Sequence, residues 1–287
     1  MIGRREDTVL KAATGLEGGC VASGSTCGVV SGGALGLALK NEETIRKSGT
    51  TAKKEVLSQA GEYVKWFKQK YGASLCRART RSDFYTILGQ LRYFFPGDRV
   101  VRCLWHIRGA TRNLYTLQKQ GYEKSEESSE KVDEQSIHCA QAVLEGIRKQ
   151  TDIGSKRLEN LSFVFDGGVA LQGGLCGAMA GAIMGINLLM GLDIRDISYW
   201  QTIKAFTIGH LNLLVDNPVG SPEPFMAGRQ VVEKFKKESG SLECLAITGK
   251  TFSGWDDFQN HISGSRDCNG LVDFAIREAS EIISKYK

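Results

Sequence analysis

Cysteine is the residue type in this chain whose number and spacing could do chemistry: Cys20, Cys27, Cys76, Cys103, Cys139, Cys176, Cys244 and Cys268. No two form a CxxC pair, which argues against a zinc ribbon or a thioredoxin-type motif. No CxxCH occurs, which argues against covalent c-type haem. An even count would suit disulfides, but 287 residues with no secretory-type N-terminus do not describe a small disulfide scaffold. Thiolates that ligate a metal, or thiols that cycle through oxidation, are the chemistries left. A buried, inert cysteine is the plain alternative at each position.

The spacing repeats. With Gly18-Gly19 set on Gly167-Gly168, the residues Gly24, Cys27, Gly28, Gly32 and Gly36 fall on Gly173, Cys176, Gly177, Gly181 and Gly185 without a gap. Cys76 stands four residues past Gly72, and Cys244 stands four past Gly240. Cys103 and Cys268 then close the two copies, each opening a final helix, over 103–119 and 268–285. A repeat in register gives the cysteines a shared role that a lone cysteine would not have.

Particular elements must position these thiols. Each Gly-Gly turn leads into an uncharged segment whose glycines recur every four residues and so share one helical face. Each such glycine costs a helix about 1 kcal/mol relative to Ala, so something is expected to approach that face closely, most simply a second helix. Cys27 and Cys176 fall at the helix start, where free N–H groups and the helix dipole favour a thiolate. The segment 136–148, SIHCAQAVLEGIR, reads as a helix with Ile137, Ala140, Val143, Leu144 and Ile147 on its apolar face and Cys139 in its first turn. The first copy has no such helix, though Cys20 in the Gly-Gly loop could supply a fourth cysteine. Glu17 and Asp166 precede the two Gly-Gly turns and are expected to accept N–H bonds from them. His106 and His138 lie near cysteines but have no counterpart in the other copy, so an ordinary surface or capping role is expected for them.

Two halves follow: residues 1–120, a charged linker over 121–135, and residues 136–287. The expected fold is all-α, a tandem-duplicated helical bundle packed across its two glycine helices. The composition, 41% hydrophobic and 24% charged with four prolines, fits a helical globular chain and not a disordered one. The second copy is longer between 193 and 228, where Asn217-Pro218, Pro222 and Pro224 suggest an exposed loop inserted away from the site. The uncharged stretch 169–192 approaches the length of a membrane span, but its glycines and Asn187 favour a buried helix. The N-terminal residues lack the apolar core of a secretory signal, so a cytoplasmic location is expected.

The run Cys139-Ala140-Gln141-Ala142-Val143, the Gly-Gly turn, Cys176-Gly177-Ala178-Met179-Ala180-Gly181 and the single cysteines 244 and 268 resemble the C_GCAxxG_C_C family of redox-active proteins, itself similar to a domain of split-Soret cytochromes. The resemblance covers most of 136–287. The first half resembles it in part: Cys27-Gly28-Val29-Val30-Ser31-Gly32 has Val29 where the family has Ala, Cys76 and Cys103 match the last two cysteines, and the leading helix is missing. What the resemblance implies is a helical domain that gathers cysteines for redox work by ligating an iron–sulfur cluster, 2Fe–2S or 4Fe–4S. The ligand set would be Cys139, Cys176, Cys244 and Cys268, with a second site at Cys27, Cys76 and Cys103 together with Cys20.

Two alternatives stay open. One is a metal-free thiol–disulfide redox protein in which Cys27 or Cys176 attacks and another cysteine resolves. The other is a binding module for nucleic acid or an acidic partner, built on Arg77, Arg79, Arg81, Arg92, Arg99, Arg102, Arg108 and Arg112 with Tyr85, Tyr93, Phe94, Phe95 and Trp105 interleaved. A solvated, salt-bridged surface is the commoner explanation of such a run, and the second copy lacks it. The cluster reading implies a redox partner protein, disfavours nucleic acid, and leaves homodimerisation through a small-residue face open.

Overall fold

The computed structural model describes residues 6–119, 136–215 and 224–287. Fourteen α-helices and two short 3-10 helices make up the regular structure among them, with no strands. The fold is all-α. The linker 121–135 lies outside the described residues, as do Asn217, Pro218 and Pro222.

The first half runs α1 (Asp7–Ala13), a 3-10 turn (Thr14–Leu16), α2 (Gly28–Lys40), α3 (Glu42–Tyr71), α4 (Cys76–Thr80), α5 (Ile87–Phe94) and α6 (Asp98–Lys119). The second opens with α7 (Cys139–Thr151) and then repeats that order: α8 (Lys156–Leu161), a 3-10 turn (Ser162–Phe165), α9 (Gly177–Met190), α10 (Tyr199–Asn212), α11 (Pro224–Ser239), α12 (Cys244–Thr248), α13 (Trp255–Gly264) and α14 (Arg266–Tyr286). Two differences stand out. Among the described residues helix α7 has no counterpart in the first half, and α10 is extra in the second. The insertion expected as an exposed loop therefore holds a fourteen-residue helix, capped by Ser198 and Gln201 in a reciprocal box.

Between the lead-in turn and the glycine helix, each half makes one turn of left-handed backbone. Gly18 to Ala22 have φ of 51–84°, and Gly167 to Leu171 have φ of 53–80°. Glycine enters this region freely, whereas each L-residue there costs roughly 1–2 kcal/mol. Cys20, Val21 and Ala22 in one copy, and Val169, Ala170 and Leu171 in the other, are held there by matched bonds. Val21 N–H donates to Gly15 O at 2.8 Å, and Ala170 N–H donates to Val164 O at 2.7 Å. Gly24 N–H donates to Gly18 O at 3.0 Å, and Gly173 N–H to Gly167 O at 2.9 Å.

The two glycine helices do not pack on each other, contrary to expectation. Helix α9 is crossed by α1 and its 3-10 turn from the first half, and α2 by the 3-10 turn and α8 of the second. The halves thus exchange lead-in segments, and a Cβ on Gly15 would collide with Asn187 and Ile183 of α9. Further ties cross the interface. Thr26 Oγ1 accepts Leu175 N–H at 2.8 Å, and Arg157 bonds Glu42 and Glu6 of the other half. One continuous core spans both halves.

Candidate functional site

The left-handed turn delivers the chain to the thiols. After it, a short backbone ladder staples two helix starts together: Cys176 N–H donates to Leu242 O at 2.8 Å and Cys244 N–H to Gly174 O at 2.7 Å. The first half repeats this with Cys27 N–H to Ser74 O at 2.8 Å and Cys76 N–H to Ser25 O at 2.7 Å. Cys176 and Cys27 are N-cap residues of α9 and α2, while Cys244 and Cys76 begin α12 and α4.

In the second half two further helices complete the set. Cys139 begins α7, and Cys268 lies in the first turn of α14, its N–H donating to Ser265 Oγ at 3.2 Å. All four thiols line one small cavity of about 20 Å³, otherwise walled mostly by apolar side chains such as Ile247, Phe252 and Phe258. His261, which nothing in its spacing singled out, lines it too, with Nε2 3.8 Å from Cys268 Sγ.

Helix α7 is locked over this site by its own glycine-face partner. Added Cβ atoms on Gly177 and Gly181 would stand 2.9 Å from Cys139 Cβ and 2.8 Å from Ala140 O. Asp166, fully buried, holds the helix start: its Oδ1 accepts Cys139 N–H at 3.2 Å and its Oδ2 lies 2.7 Å from His138 Nδ1. Lys53 of α3 donates to His138 Nε2 at 3.2 Å, which leaves Nδ1–H to donate to the carboxylate. So Asp166 bonds the start of the preceding helix α7 and not its own turn, and His138 is a buried partner, not a surface residue. Burial pushes the Asp166 carboxyl up, against the pull of His138 and Lys53.

In the first half Cys27, Cys76 and Cys103 line a second, larger cavity of about 510 Å³. Arg79 Nη1 is 4.0 Å from Cys27 Sγ, its guanidinium stacked 4.6 Å from the Phe67 ring centre, and Tyr93 bonds Cys103. Cys103 sits in the second turn of α6, not at its start. Cys20 is not brought to this site. It is the positional counterpart of Val169, and both are fully buried in the left-handed turn with φ of 69° and 59°. Cys20 serves as a small core hydrophobe, and its charged neighbours are Lys236 and Glu243 of the other half. His106 packs against Tyr71 at 4.2 Å between ring centres and lines neither cavity.

The helix-start argument for easy ionisation is outweighed. Burial pushes the Cys176 thiol up to about 11 although Ala178 and Met179 N–H groups favour its thiolate, and it raises Cys27 in the same way. Burial also raises Cys139, Cys76 and Cys244. All eight cysteines are free. Thiols so placed ionise when a cation shares the cavity with them.

As donors the four second-half thiols fit an iron–sulfur cluster: four sulfurs with one imidazole beside them, no carboxylate in the lining, and N–H groups directed at Cys176. The space between them holds about one water, and no three His, Cys, Asp or Glu side chains among the described residues already stand in a ligating arrangement. Admitting a cluster requires the side chains to turn outward.

The all-helical chain presents a cysteine frame twice, with four thiols in the second half and three in the first. The model of the family described as "Putative redox-active protein (C_GCAxxG_C_C)" matches residues 1–112 and 137–282, and the chain belongs to that family as two tandem copies. No curated protein and no solved structure matches it significantly. No helix among the described residues is long and apolar enough to cross a membrane.

Proposed function

We propose that the second half binds an iron–sulfur cluster through Cys139, Cys176, Cys244 and Cys268 and that the protein transfers electrons through it. The observation that supports this most is the convergence of four thiols, drawn from four separate helices, on one small, largely apolar cavity. When bound, the cluster would take up and release single electrons; the chain's own residues hold it, exclude water and fix the ligand helices. Asp166 and His138 anchor Cys139, and the N–H groups at the start of α9 meet the charge on Cys176. A protein redox partner and a cytoplasmic location belong to this reading. Exposed Leu88, Trp105, Tyr199 and Trp200 offer apolar surface to a partner or a second copy. The arginine run of the first half is largely engaged within the chain: Arg77 pairs with Glu243 and Arg79 stacks on Phe67.

Iron and acid-labile sulfide, measured on protein purified without oxygen, test it. Matched iron and sulfide are expected, reduced by Cys176→Ser and unchanged by Cys20→Val. Iron-free, colourless protein after reconstitution would sink the cluster and favour the thiol–disulfide alternative, which reversible oxidation of thiol pairs would then reveal. Loss of iron on Cys20→Val would show that the left-handed turn rearranges to supply a ligand.

A further inference from the structure

Where the second half carries α7, the first half carries a cavity. Its floor is the glycine face of α2: Gly28 and Gly32 line it, and a Cβ on Gly32 would meet nothing within 4 Å. The matched Gly181 is closed by α7. Ile107 of α6 lies at the rim and is 47% exposed, whereas its counterpart Val272 of α14 is 9% exposed. At about 510 Å³ the space falls within the range of small-molecule sites, roughly 300–1,000 Å³.

The walls are specific. Cys27, Cys76 and Cys103 form one part of the lining, and Phe206 and His210 of α10 form another. Thus the extra helix of the second copy reaches across to enclose the site of the first. Glu17 also lines the cavity, at the sequence position of Asp166, with Oε1 4.0 Å from His210 Nε2. In the second half the matched carboxylate receives an N–H of the lead helix and the ring of His138. In the first half an acid occupies the same place beside open space, with its side chain 41% exposed.

We propose that this cavity binds a small organic molecule with a largely apolar body and an amine or amide N–H donor. The donor engages Glu17, and the body lies along Gly28 and Gly32 toward the three thiols. The ligand takes the place that a helix fills in the other copy. The proposal goes beyond the cluster reading and stands on the cavity alone.

The test is a titration of the full chain with aminoanthracene, an apolar amine whose fluorescence rises on leaving water. A saturable rise with one probe per chain is expected. Gly32→Trp projects into open space without a Cβ clash, so it should melt no lower than wild type while its affinity falls at least tenfold. Glu17→Gln should weaken binding several-fold. No saturable rise, or wild-type affinity in Gly32→Trp, would overturn the proposal. So would a dimer by ultracentrifugation that shows no probe binding, because a segment of the second copy would then fill the space. Iron-free protein that still binds the probe removes the cluster reading alone, and iron-loaded protein that does not bind it removes this one alone.

Discussion

The two cysteine sites share a backbone and differ in what lies over it. In the second half α7 contributes a thiol, covers the glycine face of α9 and leaves a space the size of one water. In the first half the same ladder and the same left-handed turn present three thiols to an open cavity. The two copies share this frame and differ, among the described residues, by one wall.

The sharpest contrast lies at the matched acids. Asp166→Ala leaves the His138 ring and the Cys139 N–H without their acceptor in a fully buried setting, and breaking such a pair costs about 3–5 kcal/mol. Glu17→Ala, at the rim of the cavity, should fall within about 0.5 kcal/mol of wild type. Chemical denaturation of both variants measures the gap. Equal losses would mean that the first half has a hidden counterpart of α7.

Next in size is the glycine pair. Gly181→Leu would drive a side chain into Ala140 O and Val143, 2.8 and 2.9 Å from its Cβ, and should cost about 3 kcal/mol or dislodge α7. Gly32→Leu meets nothing and replaces an exposed helical glycine, so a gain of roughly 0.5–1 kcal/mol is expected. Thermal melts of the two variants should move in opposite directions. A shared direction would break the comparison at its root.

Much of this contrast was legible in the sequence. The gapless register of the glycines and cysteines, the apolar face of 136–148 and its absence from the first copy are periodic or positional signals, and the structure repeats them element by element. What escaped was tertiary. Cys20 follows a Gly-Gly pair and reads as a ligand, but a left-handed turn points it into the core, as only its match to Val169 could have hinted. Insertion α10 reads as remote from the site because periodicity says nothing about which half a helix packs on. His261 and Cys268 belong to different helices, α13 and α14, so no helical spacing links them.

The smallest effect concerns a charged pair that the matched ladders do not share. Arg77 stands where the second copy has Leu245, and Glu243 stands where the first has Leu75, so one of the ion pairs between the halves lies at the ladders, with Arg77 Nη2 2.7 Å from Glu243 Oε2. Burial pushes the Glu243 carboxyl up, but the bonds from Arg77 and Ser241 outweigh it and hold the group below its ordinary 4.5. A carboxylate with a depressed folded-state pKa adds stability above its unfolded value and loses it as pH falls through the folded one. Arg77 is 46% exposed and Glu243 11%, so solvent screens the pair and Arg77→Met should cost only about 1 kcal/mol near neutral pH. That cost should shrink as pH drops below 4.5, where protonation of Glu243 removes the charge that Arg77 serves. Denaturation midpoints of wild type and Arg77→Met, followed from pH 7 to about pH 3, should therefore converge on the acid side. Parallel curves would show that Arg77 acts through packing on the loop rather than through its charge, and the two halves would then be held together by their exchanged lead-in segments without help from this pair.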